Sequence, residues 1–209
     1  MYTETAAHLA LLALFEGGNK FWSDEYLEHG ALSMLERISE GAYADYKNSG
    51  YKLASALARI EVSALEDLVS TCGAFLITRN DEDWPKRLDE LRAPPLALIG
   101  RGVRQTLENL ERSISIVGTR NPTEYGVRVA GDFAAGAIDR GWSVVSGGAF
   151  GIDTAAHRGG THRRGSDDCD SRRRGEFNIS QWKRTSLSRN PGERIIALGS
   201  ATQHTCDPR

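Results

Sequence analysis

Along residues 5–70 the apolar positions recur every three or four residues, the spacing of helices with one buried side. The stretches "AAHLALLALF", "DEYLEHGALSMLERISEG", "YADYKNSGYKLASALARI" and "SALEDLVSTCG" each follow it and predict several short helices. In the last of them Ser63 stands where a cap is needed, Glu66 follows three residues on, and Gly73 closes the end. The pattern then changes. "AFLITRNDEDWPKRLDELRAPPLALIGRG" predicts a short strand at Phe75–Thr78, a short helix after Trp84-Pro85, a break at Pro94-Pro95 and another strand in "LALIG", with Gly100 and Gly102 turning the chain. Tryptophan next to proline reads as a packing anchor.

The segment 113–160 is the most regular. "SISIV" is a run of strand formers, followed by Gly118, Thr119 and Arg120 and then by Asn121-Pro122-Thr123-Glu124, which reads as an N-cap, a proline at the first helical position and an early acid. The helix it opens carries Val127, Ala130, Phe133, Ala134, Ala137 and Ile138 at helical spacing, and Gly141 ends it. "WSVVS" is a second strand, Gly147-Gly148-Ala149-Phe150-Gly151 a second tight turn, and "IDTAAH" the start of a second helix. Strand, helix, strand, helix with short connections predicts a parallel crossover, the unit of a doubly wound sheet. The fold class expected is therefore α/β, with a partial Rossmann-like parallel sheet preceded by a small helical domain. The divisions expected are a helical domain over 1–72, a partial Rossmann-like domain over 73–160 and an irregular tail over 161–209.

Composition narrows the setting. The chain has 209 residues, 40% of them hydrophobic, enough for one ordinary domain and a small second one. The apolar run near the start holds His8, is too short to span a bilayer and lacks a basic lead, so no membrane span is expected. Cys72, Cys169 and Cys206 are far apart and odd in number, which favours neither a disulfide framework nor a metal site and suits a reducing cytoplasm. The net charge of −2 is unevenly spread: residues 1–112 carry 12 Lys/Arg against 18 Asp/Glu, residues 113–160 carry 4 against 4, and residues 161–209 carry 10 against 6. The acidic first segment repels a phosphate backbone, so contact with nucleic acid has to come from the local geometry of the middle segment or from beyond it.

That geometry is suggestive. In a doubly wound sheet ligands bind where strand ends, loops and helix N-termini meet, and both glycine turns fall there. Glycine lets another backbone or a phosphate come close, helix N-termini offer amides, and Arg120 adds a guanidinium suited to an anion. The sequence lacks a G-x-x-x-x-G-K-[ST] motif and a full G-x-G-x-x-G fingerprint, which argues against triphosphate hydrolysis and dinucleotide binding. Asp153 reads as a cap or turn stabiliser before a catalytic acid. His157 lies one turn further along the same helix face, where a structural hydrogen bond is the plainer reading. Ser146, in S-G-G, has no nucleophile-elbow context.

"SIVGTRNPTEYG", followed at this spacing by "GWSVVSGGAFGIDTAAHRGG", resembles the DNA-processing protein A family (DprA, also called Smf), and "AFLITRNDEDWPKRLDELRAPPLALIGRG" is similar to that family's lead-in. The resemblance covers about residues 73–160. It implies an extended Rossmann-like domain that binds and protects incoming single-stranded DNA and loads the RecA recombinase in natural transformation, without catalysis and without a cofactor. Whether the chain pairs as a homodimer is left open. The family's glycine-threonine-arginine loop falls on Gly118, Thr119 and Arg120, and its serine-glycine loop on Ser146, Gly147, Gly148, Gly151 and Asp153. Phe150, in the same loop, offers either a face for a base or a buried wedge.

After Gly160 the resemblance breaks. "THRRGSDDCDSRRRGEFNISQWKRTSLSRNPGE" is rich in Arg, Ser, Asp and Gly and has no run fit for a buried parallel strand, although "ERIIALGSAT" echoes a later family segment. This is the pattern expected of a truncated or out-of-frame second half, leaving an open sheet edge that could cost the chain its function. The rival readings are a Rossmann-like nucleotide or nucleoside-phosphate hydrolase, with Asp153 and His157 as an acid-base pair, and a helical interaction module attached to an incomplete sheet.

Overall fold

Thr3 begins the first helix, α1 (Glu4–Leu14), by accepting a hydrogen bond on its hydroxyl from the Ala6 amide at 3.1 Å. Asn19 caps α2 (Lys20–Ser39) in the same way at 3.1 Å, on the Phe21 amide. These and the following elements are seen in a computed structural model, which describes residues 2–15, 17–43, 46, 50–101, 104, 110, 112–159, 183–190 and 193–199. The periodicity of "DEYLEHGALSMLERISEG" predicts one continuous helix. In the structure Gly30 interrupts α2 at φ 74° and ψ 173°, a conformation that only glycine adopts without strain. Helices α3 (Gly50–Leu57) and α4 (Val62–Thr71) complete the set. α4 starts one residue before Ser63 and has no side-chain cap, so Ser63 lies inside the helix rather than at its entrance. Gly73, at φ 58°, closes α4 as expected.

The helices enclose a core of Leu11, Phe15, Trp22, Met34, Leu35 and Ile38, and Leu96 from the later connector lies in the same cluster. The Phe15 and Trp22 rings are stacked at 4.1 Å. Within this core His8 is almost fully buried. Its Nδ1–H donates to the Glu4 carbonyl at 2.8 Å, and its Nε2 lies 2.8 Å from the Tyr26 hydroxyl, joining α1 to α2.

Strands β1 (Ala74–Ile77) and β2 (Leu98–Arg101) pair antiparallel, Phe75 opposite Gly100, with a short 3-10 turn at Lys86–Glu90 between them. Trp84 is a buried anchor, its indole N–H donating to Asp89 at 3.0 Å. The chain forms two units: Met1–Arg101 together with Leu198–Arg209, and Gly102–Ala197. The boundary expected after residue 72 therefore falls after residue 101. The reason is contact. The Ser23 hydroxyl donates to the Pro94 carbonyl at 2.7 Å and Leu96 fills the helical core, so the connector belongs with the helices.

In the second unit β3 (Ser113–Ser115) and β4 (Ser143–Ser146) are parallel, Ile114 opposite Val144, with α5 (Glu124–Asp139) between them and α6 (Ile152–Gly159) after. This is the α/β crossover the pattern predicts. α5 starts at Glu124 with Thr123 as its cap, the Thr123 hydroxyl accepting from the Gly126 amide at 3.2 Å, so the cap lies two positions after Asn121. Ala130 and Ala134 are buried, and Ala137 and Ile138 pack with Ala134, Val144 and Ala156. Phe133 is 66% exposed because it sits about 100° around the helix from Ala134. α5 and α6 touch at Gly131 and Gly159, where a Cβ on Gly159 would run into the Gly131 backbone.

Within the segment expected to be irregular, the backbone is strand at β5 (Lys183–Asn190) and β6 (Glu193–Gly199). β5 runs antiparallel to β4, Val145 opposite Leu187, and Leu198 of β6 is opposite Ile99 of β2, also antiparallel. Residues 161–182 and 200–209, including Arg172–Arg174, Cys169 and Cys206, lie outside the described residues.

Candidate nucleic-acid interface

Two loops leave the carboxyl ends of β3 and β4 side by side. The parallel ladder continues one step beyond β3, the Ile116 amide donating to the Val145 carbonyl at 3.0 Å, and then each chain turns away. Ser146 closes the seam from below. It is fully buried, and its hydroxyl donates to the Ile116 carbonyl at 2.7 Å. Ser146 thus ties the two strand ends together and turns away from solvent.

The first loop, Gly118-Thr119-Arg120, is exposed. Its shape is set locally by the Thr119 hydroxyl, which accepts from the Asn121 amide at 3.1 Å. It is also set from across the seam, since the Thr119 carbonyl accepts from the Ile152 amide at 3.2 Å. The second loop contains Gly148 at φ 67° and Gly151 at φ 90°. Gly151 lies against the first loop so closely that a Cβ there would collide with the Thr119 carbonyl oxygen and come within 2.9 Å of Arg120 backbone atoms. A Cβ on Gly118 would meet the Ile152 side chain at 2.7 Å. The glycines are therefore needed first for loop-to-loop contact. That contact leaves Arg120 and Gly151 adjacent at the rim.

Asp153, at the start of α6, is 5% exposed. One carboxylate oxygen accepts from the Gly118 amide and the other from the Ala149 amide, each at 3.4 Å. The Thr154 hydroxyl donates to the Ala149 carbonyl at 2.8 Å. The Asp153 carboxylate faces inward, against one amide of each loop. His157 is half-buried one turn along α6. Phe150 is the opposite case: at 83% exposed it is no buried wedge, and its ring stands at the tip of the second loop. Gly147 and Gly148 are half-buried behind it.

Of the nine expected site residues, Gly118, Thr119, Arg120, Gly147, Gly148, Phe150 and Gly151 thus share one rim, while Ser146 and Asp153 lie beneath it. Ile152 and Thr154 were not singled out from the sequence, although both stitch the rim. Gly118, which leaves room for the Ile152 side chain, is the visible trace of that packing in the sequence. Among the described residues no group of three or more His, Cys, Asp or Glu side chains converges as a metal would require, and no helix is long and apolar enough to cross a membrane.

Residues 75–167 match a protein family described as DNA recombination-mediator protein A. The match begins close to the expected residue 73 and continues past residue 160. A putative DNA processing protein DprA of Mycobacterium tuberculosis is 40% identical over 115 residues, 48% of this chain and 30% of the relative. DNA processing protein DprA of Bacillus subtilis is 39% identical over 41% of this chain and 28% of its own length. Protein Smf of a Synechocystis strain is 36% identical over 39% of this chain and 21% of its own. The matches thus span less than a third of the length of these relatives. The crystal structure of DNA processing protein A from Streptococcus pneumoniae superposes with a TM-score of 0.52 at 20% identity, over 76% of this chain and 53% of that one, a likeness of fold.

Proposed function

Because residues 75–167 belong to the DNA recombination-mediator protein A family, we propose that the paired loops are a seat for single-stranded DNA. One observation carries the reading: an arginine and an exposed aromatic ring stand on two adjacent loops whose backbones are locked together, with Gly151 against Thr119 and Arg120. Arg120 supplies a phosphate contact and Phe150 a face for a base, which together hold a strand with little regard to its sequence. The role is binding without turnover. The hydrolase alternative requires Asp153 as an accessible acid, and its two oxygens are engaged with loop amides. The mediator reading takes RecA as the second partner, loaded onto the bound strand during transformation in the cytoplasm, and it is tested separately by the rate of RecA filament assembly on strands already bound by this protein.

The decisive experiment on the DNA seat is a salt titration of binding to a fluorescent oligothymidine, with an abasic strand and a duplex as controls. Arg120→Ala should weaken binding to both single strands by about 1–3 kcal/mol and flatten the log-log salt slope by about 0.7. Phe150→Ala should cost about 1–3 kcal/mol on oligothymidine, leave the slope alone and have no effect on the abasic strand. Unchanged affinity and slope in Arg120→Ala would overturn the seat.

A further inference from the structure

We propose that Asp153 is the positioning residue of this seat, an internal anion that holds both loops in register through their amides so that the strand meets Arg120 and Phe150. The inference rests on the single-strand reading above. The two glycine loops come from strands far apart in sequence, and the Asp153 carboxylate reaches one amide in each, Gly118 and Ala149, both at 3.4 Å. A carboxylate has acceptor sites on both oxygens and no donor, so it serves two N–H groups at once. Asparagine of the same shape keeps one acceptor and points an NH2 at the other amide. That sets one half-buried donor against another and leaves one loop amide without its acceptor. The substitution is therefore expected to free one loop from the other while the remaining stitches, Ile152 N–H to Thr119 and the Thr154 hydroxyl to Ala149, keep the helix in place.

A second consequence concerns charge. The Gly118 and Ala149 amides already hold an anion, the protein's own, so these two are not phosphate ligands and the strand's charge falls to Arg120. If Asp153 were merely a negative group close to DNA, removing its charge would tighten binding. If it positions the loops, removing one acceptor weakens binding even though repulsion is relieved. The two roles predict opposite signs.

The test uses the full chain carrying D153N, with D153E as a second variant that keeps both oxygens. Hydrogen-deuterium exchange without DNA should rise in D153N over residues 117–120 and 147–151 together and stay unchanged over α1 and α2. Oligothymidine affinity should fall about tenfold with the salt slope unaltered, and D153E should recover part of both effects. Unchanged exchange in either loop, or tighter binding by D153N, would overturn the proposal. Should D153N unfold, D153E decides by the same readouts: exchange raised over residues 117–120 and 147–151 together, with α1 and α2 unchanged, supports the role, and unchanged exchange in either loop refutes it. If the unaltered protein binds no oligothymidine, the DNA reading falls by itself, and the exchange result still decides whether Asp153 holds the loops.

Discussion

Gly151 illustrates how a single residue fixes the rim. Its φ of 90° and the Thr119 carbonyl in the place of its Cβ make two separate demands for glycine. Gly151→Ala is expected to cost about 1–3 kcal/mol in urea unfolding, the range for forced left-handed backbone and overpacking. Gly126→Ala, in α5, is the control: its Cβ would find its nearest neighbour at 3.4 Å, and it should be neutral or stabilising. At this scale the sequence was readable where a residue type is restrictive. Glycines after a strand announce a tight turn, as Gly148 and Gly151 make here. What Asp153 does was not readable, because its Gly118 partner lies 35 positions away and only folding brings the amide to the carboxylate. Phe150 could be read either way for the same reason, since the loop's orientation alone decides whether its ring meets water or core.

Among the elements, the pairing of α1 with α2 carries a titratable link. Burial, and after it the Glu4 carboxylate, push the Tyr26 hydroxyl up from 10.0 to about 12, with Arg79 pulling the other way. The folded value lies above the unfolded one, so this contribution to stability is complete below about pH 10 and disappears as pH rises towards 12. Urea unfolding compared at about pH 9 and about pH 11 should show a steeper loss in the unaltered chain than in Tyr26→Phe, which has nothing to ionise there. The helical periodicity that predicts α1 and α2 says nothing of this link, because a histidine inside an apolar run gives no hint of its partner on another helix. Element starts were legible only to within two positions. Both Asn121 and Thr123 are good caps, and the choice fell to Thr123, whose hydroxyl reaches the Gly126 amide. Gly30 was equally invisible, since the apolar spacing continues through the break it makes.

For the whole molecule, the parallel crossover was legible because strand formers, cap signals and glycine turns agree over residues 113–159. The division of the chain was not. A change from helical to strand periodicity at residue 73 looks like a boundary, yet packing, not periodicity, decides which segments belong together, and Leu96 and Pro94 tie the strands to the helices. This has an optical consequence. Trp22 is 6% exposed in the cluster that Leu96 completes. A proteolytic fragment ending at Cys72 lacks that lid, and its sole tryptophan should emit to the red. One ending at Arg101, with Trp84 changed to Phe so that Trp22 alone reports, should keep the blue emission of a dry indole. The colour of one ring thus marks where the helical unit ends.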